Sequence, residues 1–474
     1  MQPGGVKKNA AMAHRFAPAI LREYDIRGIA KETLNAADAY AIGRAFASFK
    51  PEWKTARPKI AVGRDGRLSS PEFEAALVKG LNDSGADVVR IPVGPTPMLY
   101  FTVCTLSLDG GIMVTGSHNP PAHNGFKFML GRKPFYGEDI KKLGAIAAAG
   151  SYHDGQGTVH ENNIEPEYIA SLLKAAGGGR RLKVAWDAGN GAAGRVARAL
   201  CEKLPGKHIP LFTDIDGTFP NHHPDPSQPD TLNDLIRTVR EQKCDFGVAF
   251  DGDGDRIGAV DETGEILWGD QLLAIMAASV LVKYPGSVII ADVKASAALF
   301  DEIARLGGVP LMWKTGHSLI KTKMAETGAL LAGEMSGHMF FADEYFGFDD
   351  GLYAAVRLLA LLASGTENLS ALRARLPKTH STPELRIDCA DERKFAVMEA
   401  VKKQLTQTGA KFSDVDGVRV MNEDGWWLLR ASNTQAALVA RCESKTPEGL
   451  RRLQEHLSAA LEKQDIAMRL SAGH

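Results

Sequence analysis

Apolar positions along the chain fall into short continuous runs separated by longer segments of helical period, and one order of these recurs three times. Each repeat reads strand, helix, strand, helix, strand, and then breaks into a polar, glycine-rich loop. First strands are expected at 59–62, 182–186 and 287–291, each followed within a few residues by an aspartate: Asp65, Asp187 and Asp292. Third strands are expected in GGIMVT (110–115), DFGVAF (245–250) and ALLAGE (329–334), which run into GSHNPP, DGDGDR and MSGHMF. The repeats share a pattern rather than residues.

Strands alternating with helices predict mixed, mostly parallel sheets covered on both faces, in which ligands collect at the carboxyl ends of strands. After about Pro377 the rhythm changes. A strand at ELRIDC, a helix from Asp391 to Gln404, strands at GVRVM, WWLLRAS and ALVARCES, and a helix from Pro447 to Lys463 describe an antiparallel α+β module. The turn Glu423-Asp424-Gly425 and the proline at a helix start support it. The expected architecture is three similar α/β domains at 1–162, 163–265 and 266–377, followed by a C-terminal α+β domain at 378–474. A length of 474 residues agrees with several domains of about 100 to 200 residues each.

Charge narrows the partners. With 56 basic and 57 acidic side chains the chain has no global field to draw it to nucleic acid or an anionic membrane, so neither is expected as a partner. Phosphate selectivity must then be local. The five cysteines are scattered and form no CxxC pair, which fits a reducing compartment. The segment MQPGGVKKNAAMAHRFAP lacks the apolar stretch of a signal peptide, and no apolar run is long enough to span a bilayer, so a cytoplasmic location is expected.

The loops carry the chemistry. DGDGDR sets Asp251, Asp253 and Asp255 at alternate positions, with glycines between them that let the backbone wrap a small centre. Hard oxygen ligands favour Mg²⁺ or Ca²⁺, and Mg²⁺ commonly shares its shell with a phosphate oxygen. An EF-hand is excluded because Arg256 stands where that loop needs glycine and the flanks read as strands. A solvated acidic turn is the plain alternative. In TGSHNPP, Ser117 follows an apolar strand in a turn set by Gly116 and closed by Pro120 and Pro121, which presents the hydroxyl. Alone, such a serine is turn punctuation; beside a carboxylate loop it becomes a phosphoryl carrier.

Lys127, Arg64 and Arg67 are cations that could hold a phosphoryl group at Ser117, while each taken singly reads as a surface charge. In GEMSGH, Glu334, Ser336 and His338 suit paired hydrogen bonds to vicinal sugar hydroxyls, and KTGH brings Lys314 and His317 to the end of a second strand of the same repeat. RASNTQ offers Arg430, Ser432, Asn433 and Thr434 as a phosphate cradle after a strand.

Seven segments, REYDIRG (22–28), TGSHNP (115–120), NGFK (124–127), DGDGDR (251–256), KTGH (314–317), GEMSGH (333–338) and RASNT (430–434), occur in the order found in the α-D-phosphohexomutases. The chain resembles that family, and within it the bacterial phosphomannomutase/phosphoglucomutase branch. The resemblance implies four domains around a central active-site cleft, with the last domain mobile. It implies that Ser117 is the phosphoserine, that Mg²⁺ is held by Asp251, Asp253, Asp255 and an oxygen on Ser117, and that Glu334 and Ser336 contact the sugar. Arg430, Ser432, Asn433 and Thr434 correspond to the distal phosphate site, although Gln435 and Ala436 depart from the family's usual continuation. Tyr24, Arg27, His118, Lys127, Arg256, Lys294, His317 and His338 match positions lining the family's cleft, Lys127 and His317 being the candidates for proton handling.

The implied reaction interconverts hexose 1-phosphate and hexose 6-phosphate through a hexose 1,6-bisphosphate, on glucose and mannose phosphates, by a monomer or weak homodimer. GEMSGH and TGSHNP argue against a phosphoglucosamine mutase, whose loops more often read GEQSGH and SASHNP. A Mg²⁺-dependent sugar-phosphate phosphatase is the alternative from another class.

Overall fold

The computed structural model describes residues 13–49, 53, 55, 57–432 and 436–466. They form four sheets, one for each of four domains. In the first, the strands run Ile26–Ile29, His123–Leu130, Gly110–Val114, Lys59–Arg64, Asp87–Arg90, Val159–Glu161, with Lys133–Pro134 paired to His123–Leu130. In the second the order is Ile266–Leu267, Ile257–Asp261, Phe246–Phe250, Leu182–Asp187, Gly206–Leu211. In the third it is Val309–Trp313, Val288–Asp292, Leu331–Gly333, Met339–Phe341.

These orders share a rule. In each sheet the first strand of the repeat lies between the third and the second, and a further strand lies beside the third. In the first and third sheets the three repeat strands pair in parallel and the added strand is antiparallel, so these sheets are mixed. Each polar loop therefore joins a third strand to the strand beside it: 115–122, 251–256 and 334–338 are the three connections. The third strands are buried at every position, which is why they read as unbroken apolar runs.

The fourth sheet is antiparallel throughout: His380–Ser381, Ala437–Ser444, Gly425–Ala431, Val418–Asn422 and Phe412–Ser413 in order, with Leu385–Asp388 also on Ala437–Ser444. Helices Asp391–Gln407 and Pro447–Glu462 bury Val397, Val401, Leu453 and Leu457 in its core. By compactness the chain forms two units. One comprises 1–176, 185–235 and 248–256, and the other 177–184, 236–247 and 257–474. No helix among the described residues is long and apolar enough to cross a membrane.

In the first domain, helices Ala36–Ala47 and Ser70–Asp83 pack at backbone distance because each carries a glycine at the crossing. A β-carbon on Gly80 would lie 2.2 Å from the Tyr40 carbonyl oxygen, and one on Gly43 would lie 2.3 Å from that of Leu77. Backbone cannot yield as a side chain does. Gly80→Ala gains about 1 kcal/mol in helix propensity but incurs overpacking of about 1–3 kcal/mol, so a net loss is expected. A denaturation midpoint in urea at or above the parent's would refute this contact.

Candidate active site

The loop 115–122 starts where the strand Gly110–Val114 ends, and Ser117 sits in it with φ of 49°, a left-handed conformation unusual for a side chain larger than hydrogen. Ser117 is 1% exposed. Its amide donates to Thr115 Oγ1 at 2.9 Å, and its Oγ donates to Asp251 Oδ2 at 2.9 Å and lies 3.1 Å from His118 Nδ1. The carboxylate loop reaches the serine backbone because Gly252 has no side chain: a β-carbon there would stand 2.2 Å from the Ser117 carbonyl oxygen. The glycines of DGDGDR thus serve close approach as well as turning.

Asp251, Asp253 and Asp255 are each fully buried, with one oxygen apiece lying within 4.8 Å of the others. Asp253 Oδ2 accepts from Thr96 Oγ1 at 2.5 Å and from Lys127 Nζ at 2.7 Å, and Lys127 also donates to Asp255 Oδ2 at 2.5 Å. Burial, with Asp255 and Asp253 alongside, pushes the Asp251 carboxyl well above the carboxylate range. Burial alone would lower Lys127, but Asp253 and Asp255 hold its ammonium well above the ordinary lysine value. Asp253 Oδ1 is buried with no hydrogen-bond partner among the described residues. Three clustered carboxylates, with Asp253 Oδ1 unused, fit a hard divalent cation.

Around the serine, the arrangement is cationic. Arg27 donates to Asn119 Oδ1 at 2.9 Å and to Asp25 Oδ2 at 2.5 Å, its strand being in register with Gly125. Tyr24 precedes that strand and is half-buried. The Arg256 amide donates to Asp251 Oδ1 at 3.2 Å. Burial, then Arg256, Arg27 and Lys127, depress the His118 imidazole well below its ordinary value, so it is neutral beside Ser117.

Two expected phosphate cations have other work. Arg64 pairs with Glu74 at 3.1 Å. Arg67 is buried and donates to four backbone carbonyls, three in the serine loop and that of His123 at the start of the next strand. The reading of these two as phosphoryl ligands is corrected here: each has its guanidinium committed to protein acceptors.

The other unit holds the remaining residues. Glu334, 3% exposed, accepts from the Gly316 amide at 2.7 Å and faces His338 Nδ1 at 3.0 Å, while Ser336 Oγ lies 3.0 Å from the same nitrogen. Burial opposes its charge, but His338 and the Gly316 amide draw the carboxyl below its usual value. His317 stacks on His338 at 5.6 Å and presents Nδ1 3.5 Å from Asp349 Oδ2. Lys294 donates to Glu384 at 3.0 Å, and Arg430 Nε to Asp416 at 2.9 Å. Ser432 is buried, and Asn433 and Thr434 lie outside the described residues, as does Gln435.

Several partners went unread in the sequence. Thr96, Asp349 and Asp416 hold site residues, and Lys321 holds Asp349, from loops and helices with no motif of their own. The aspartates after the first strands mark the repeat in the sequence without showing a function, and in the structure two of them brace the loop after the third strand. Asp65 accepts from the Gly116 amide at 3.1 Å and Asp292 from the Met335 amide at 3.3 Å, equivalent positions of two repeats. Burial, offset in part by Lys294, pushes Asp292 up to about 6. Asp187 instead bonds the Gly189 amide and His222.

Four family models match the chain in sequence order. They are those for phosphoglucomutase/phosphomannomutase α/β/α domain I over residues 18–153, domain II over 166–264, domain III over 268–380 and the C-terminal domain over 384–460. A phosphomannomutase/phosphoglucomutase of Pseudomonas aeruginosa is 45% identical over 446 residues, 94% of this chain and 96% of the relative. A phosphoglucomutase of Neisseria gonorrhoeae is 44% identical over 447 residues, with the same coverage of 94% and 96%. The crystal structure of a phosphoglucomutase/phosphomannomutase family protein from Burkholderia thailandensis superposes with a TM-score of 0.90 at 41% identity, covering 96% of this chain and all of that one.

A divalent cation must compete with the Lys127 ammonium for Asp253 and Asp255. Lys127→Met is therefore expected to destabilise the metal-free protein and to bind Mg²⁺ about tenfold more tightly, whereas Asp253→Asn weakens binding at least as much. Titration calorimetry with Mg²⁺ checks both, and equal affinities in all three proteins would remove the carboxylate cluster as the metal site.

Proposed function

Because the chain belongs to the phosphoglucomutase/phosphomannomutase family of α-D-phosphohexomutases, we propose that it interconverts hexose 1-phosphates and hexose 6-phosphates through a phosphoryl group carried on Ser117. The observation that carries the reading is the Ser117 hydroxyl, buried 2.9 Å from Asp251 at the edge of a three-carboxylate cluster. A nucleophile needs such a setting to exchange a highly charged group away from water.

In the forward direction the P–Oγ bond of phosphorylated Ser117 breaks as a bond forms from phosphorus to O6 of a hexose 1-phosphate; the O6 proton passes to a group of the site and the Ser117 Oγ takes up a proton. A hexose 1,6-bisphosphate results. After it turns end for end, the bond from phosphorus to O1 breaks as the P–Oγ bond forms again, the Ser117 Oγ gives up its proton and O1 takes one up, leaving hexose 6-phosphate. Mg²⁺, when bound to Asp251, Asp253, Asp255 and an oxygen of the phosphorylated serine, supplies positive charge to the group in transfer. Lys127 adds a cation beside the same carboxylates, neutral His118 lies at the serine oxygen, and Arg27 and Arg256 bring further positive charge.

Glu334 and Ser336 are assigned to adjacent sugar hydroxyls, with Lys294 and His338 beside them and His317 as a proton-handling group backed by Asp349. Arg430, Ser432, Asn433 and Thr434 are assigned to the phosphate that is not reacting. A grip on O3 and O4 leaves the configuration at C2 unread, so glucose and mannose phosphates both serve. The names of the relatives from Pseudomonas aeruginosa and Neisseria gonorrhoeae favour this over a glucosamine substrate.

Ser117→Ala is expected to lower conversion of glucose 1-phosphate by at least about 10³-fold, since it removes the group that accepts the phosphoryl. Intact mass of the parent after incubation with glucose 1,6-bisphosphate should show one added phosphoryl on Ser117. Full turnover by the variant with no other residue phosphorylated would end the serine relay. Release of inorganic phosphate in step with substrate loss would instead identify a phosphatase. Side-by-side assays on glucose, mannose and glucosamine 1-phosphates should give comparable kcat/KM for the first two and a lower value for the third.

A further inference from the structure

Ser117 keeps a left-handed backbone, φ 49°, in a loop where one side chain meets three carbonyls and that of the residue following the loop. The Arg67 guanidinium donates through Nη2 to Ser117 O at 2.6 Å and Asn119 O at 2.5 Å, and through Nη1 to Pro120 O at 2.6 Å and His123 O at 2.9 Å. Its Nε faces Asp65 Oδ2 at 3.2 Å. That carboxylate is fixed in turn: Oδ2 accepts from the Gly116 amide, and Oδ1 accepts from the Arg67 amide at 3.0 Å and Ser70 Oγ at 2.6 Å. The Phe219 ring lies 5.2 Å from the guanidinium carbon, and Arg67 is 1% exposed. Gly116 completes the fit, because a β-carbon there would stand 2.5 Å from Arg67 Cζ.

We propose that Arg67 is a positioning residue for phosphoryl transfer, a planar hub that holds the Ser117 turn so that Oγ stays against Asp251, and that it does not ligate phosphate. The Nη1 and Nη2 donors that a phosphate would need are spent on backbone carbonyls. Only a guanidinium offers parallel N–H pairs in one plane; a lysine ammonium at the same depth is a point donor that cannot meet four carbonyls arranged around a fork. The pairing of Asp65 with the Gly116 amide on one side and Arg67 with the Ser117 carbonyl on the other grips the backbone at both residues of the turn.

The proposal rests on Ser117 as the phosphoryl carrier, so the parent protein is tested first. If it takes up no phosphoryl from glucose 1,6-bisphosphate, that reading fails whatever Arg67 does. Given a phosphorylated parent, single-turnover transfer to glucose 1-phosphate is followed for Arg67→Lys, Arg67→Gln and Gly116→Ala. The amplitude reports the folded, phosphorylated fraction, and the rate constant reports geometry. The third variant keeps Arg67 and presses a methyl group on its guanidinium, so a result survives if the first two fail to fold. The expected result is a rate constant lowered about 100-fold in each folded variant, as for a displacement of about 1 Å, with KM for glucose 1-phosphate within threefold of the parent. A reduced amplitude with the parent's rate constant would make Arg67 a support of the fold alone. A raised KM with unchanged kcat would make it a phosphate ligand. Either outcome overturns the proposal.

Discussion

Three carboxylates withdrawn from water and crowded within 4.8 Å of one another are the electrostatic problem around which the first unit is organised. In isolation such a cluster would protonate or pull water in. The chain answers in part with Lys127, whose ammonium bridges Asp253 and Asp255, and leaves Asp253 Oδ1 unused. The remaining imbalance suits a divalent cation and a phosphoryl group, one bringing positive charge and the other an oxygen ligand. Ser117 lies at the edge of the cluster, and Gly252 lets the two loops touch through backbone.

The repeated architecture makes such a placement possible. A third strand followed by a strand beside it turns every repeat's polar loop into a strand-to-strand connection, with both ends held by a sheet. Asp65 and Asp292, at the ends of first strands, then reach across to the amides of Gly116 and Met335. The same brace serves the Ser117 loop in one repeat and the Glu334 loop in another. In the second repeat, Asp187 turns to Gly189 and His222 instead, and its loop is built from carboxylates.

The second unit shows a different use of buried charge. Glu334 is held by the Gly316 amide and His338, and His338 stacks on His317, which faces Asp349. Lys321 balances Asp349 at 2.8 Å. Two imidazoles stacked between buried carboxylates form a polar chain that orders the loop 334–338 and leaves Ser336 tied to it by one nitrogen. Such networks hold their geometry only when each member is satisfied.

Much of this was legible before any coordinates. The period of apolar positions showed the first and third strands of the three repeats and most of the C-terminal module, though not edge strands such as Ile26–Ile29 and Val159–Glu161, and the three loops announced themselves because glycine, proline and clustered polar residues interrupt buried strands. Asp251, Asp253 and Asp255 declared a cation site by type and spacing, since such chemistry is local to a few consecutive residues. What the chain order hid was partnership across sequence: Thr96 on Asp253, Asp349 behind His317, Asp416 on Arg430. Arg67 was misread for the same reason. An arginine looks like a phosphate ligand by residue type until its donors are seen on carbonyls some fifty residues away in sequence, such as Ser117 O. Sequence determines which groups are available and how each strand and helix folds, because propensity and periodicity act over a few residues. Only the tertiary structure decides which donor meets which acceptor, because hydrogen bonds and close glycine contacts act over a few ångströms between segments that chain order keeps apart.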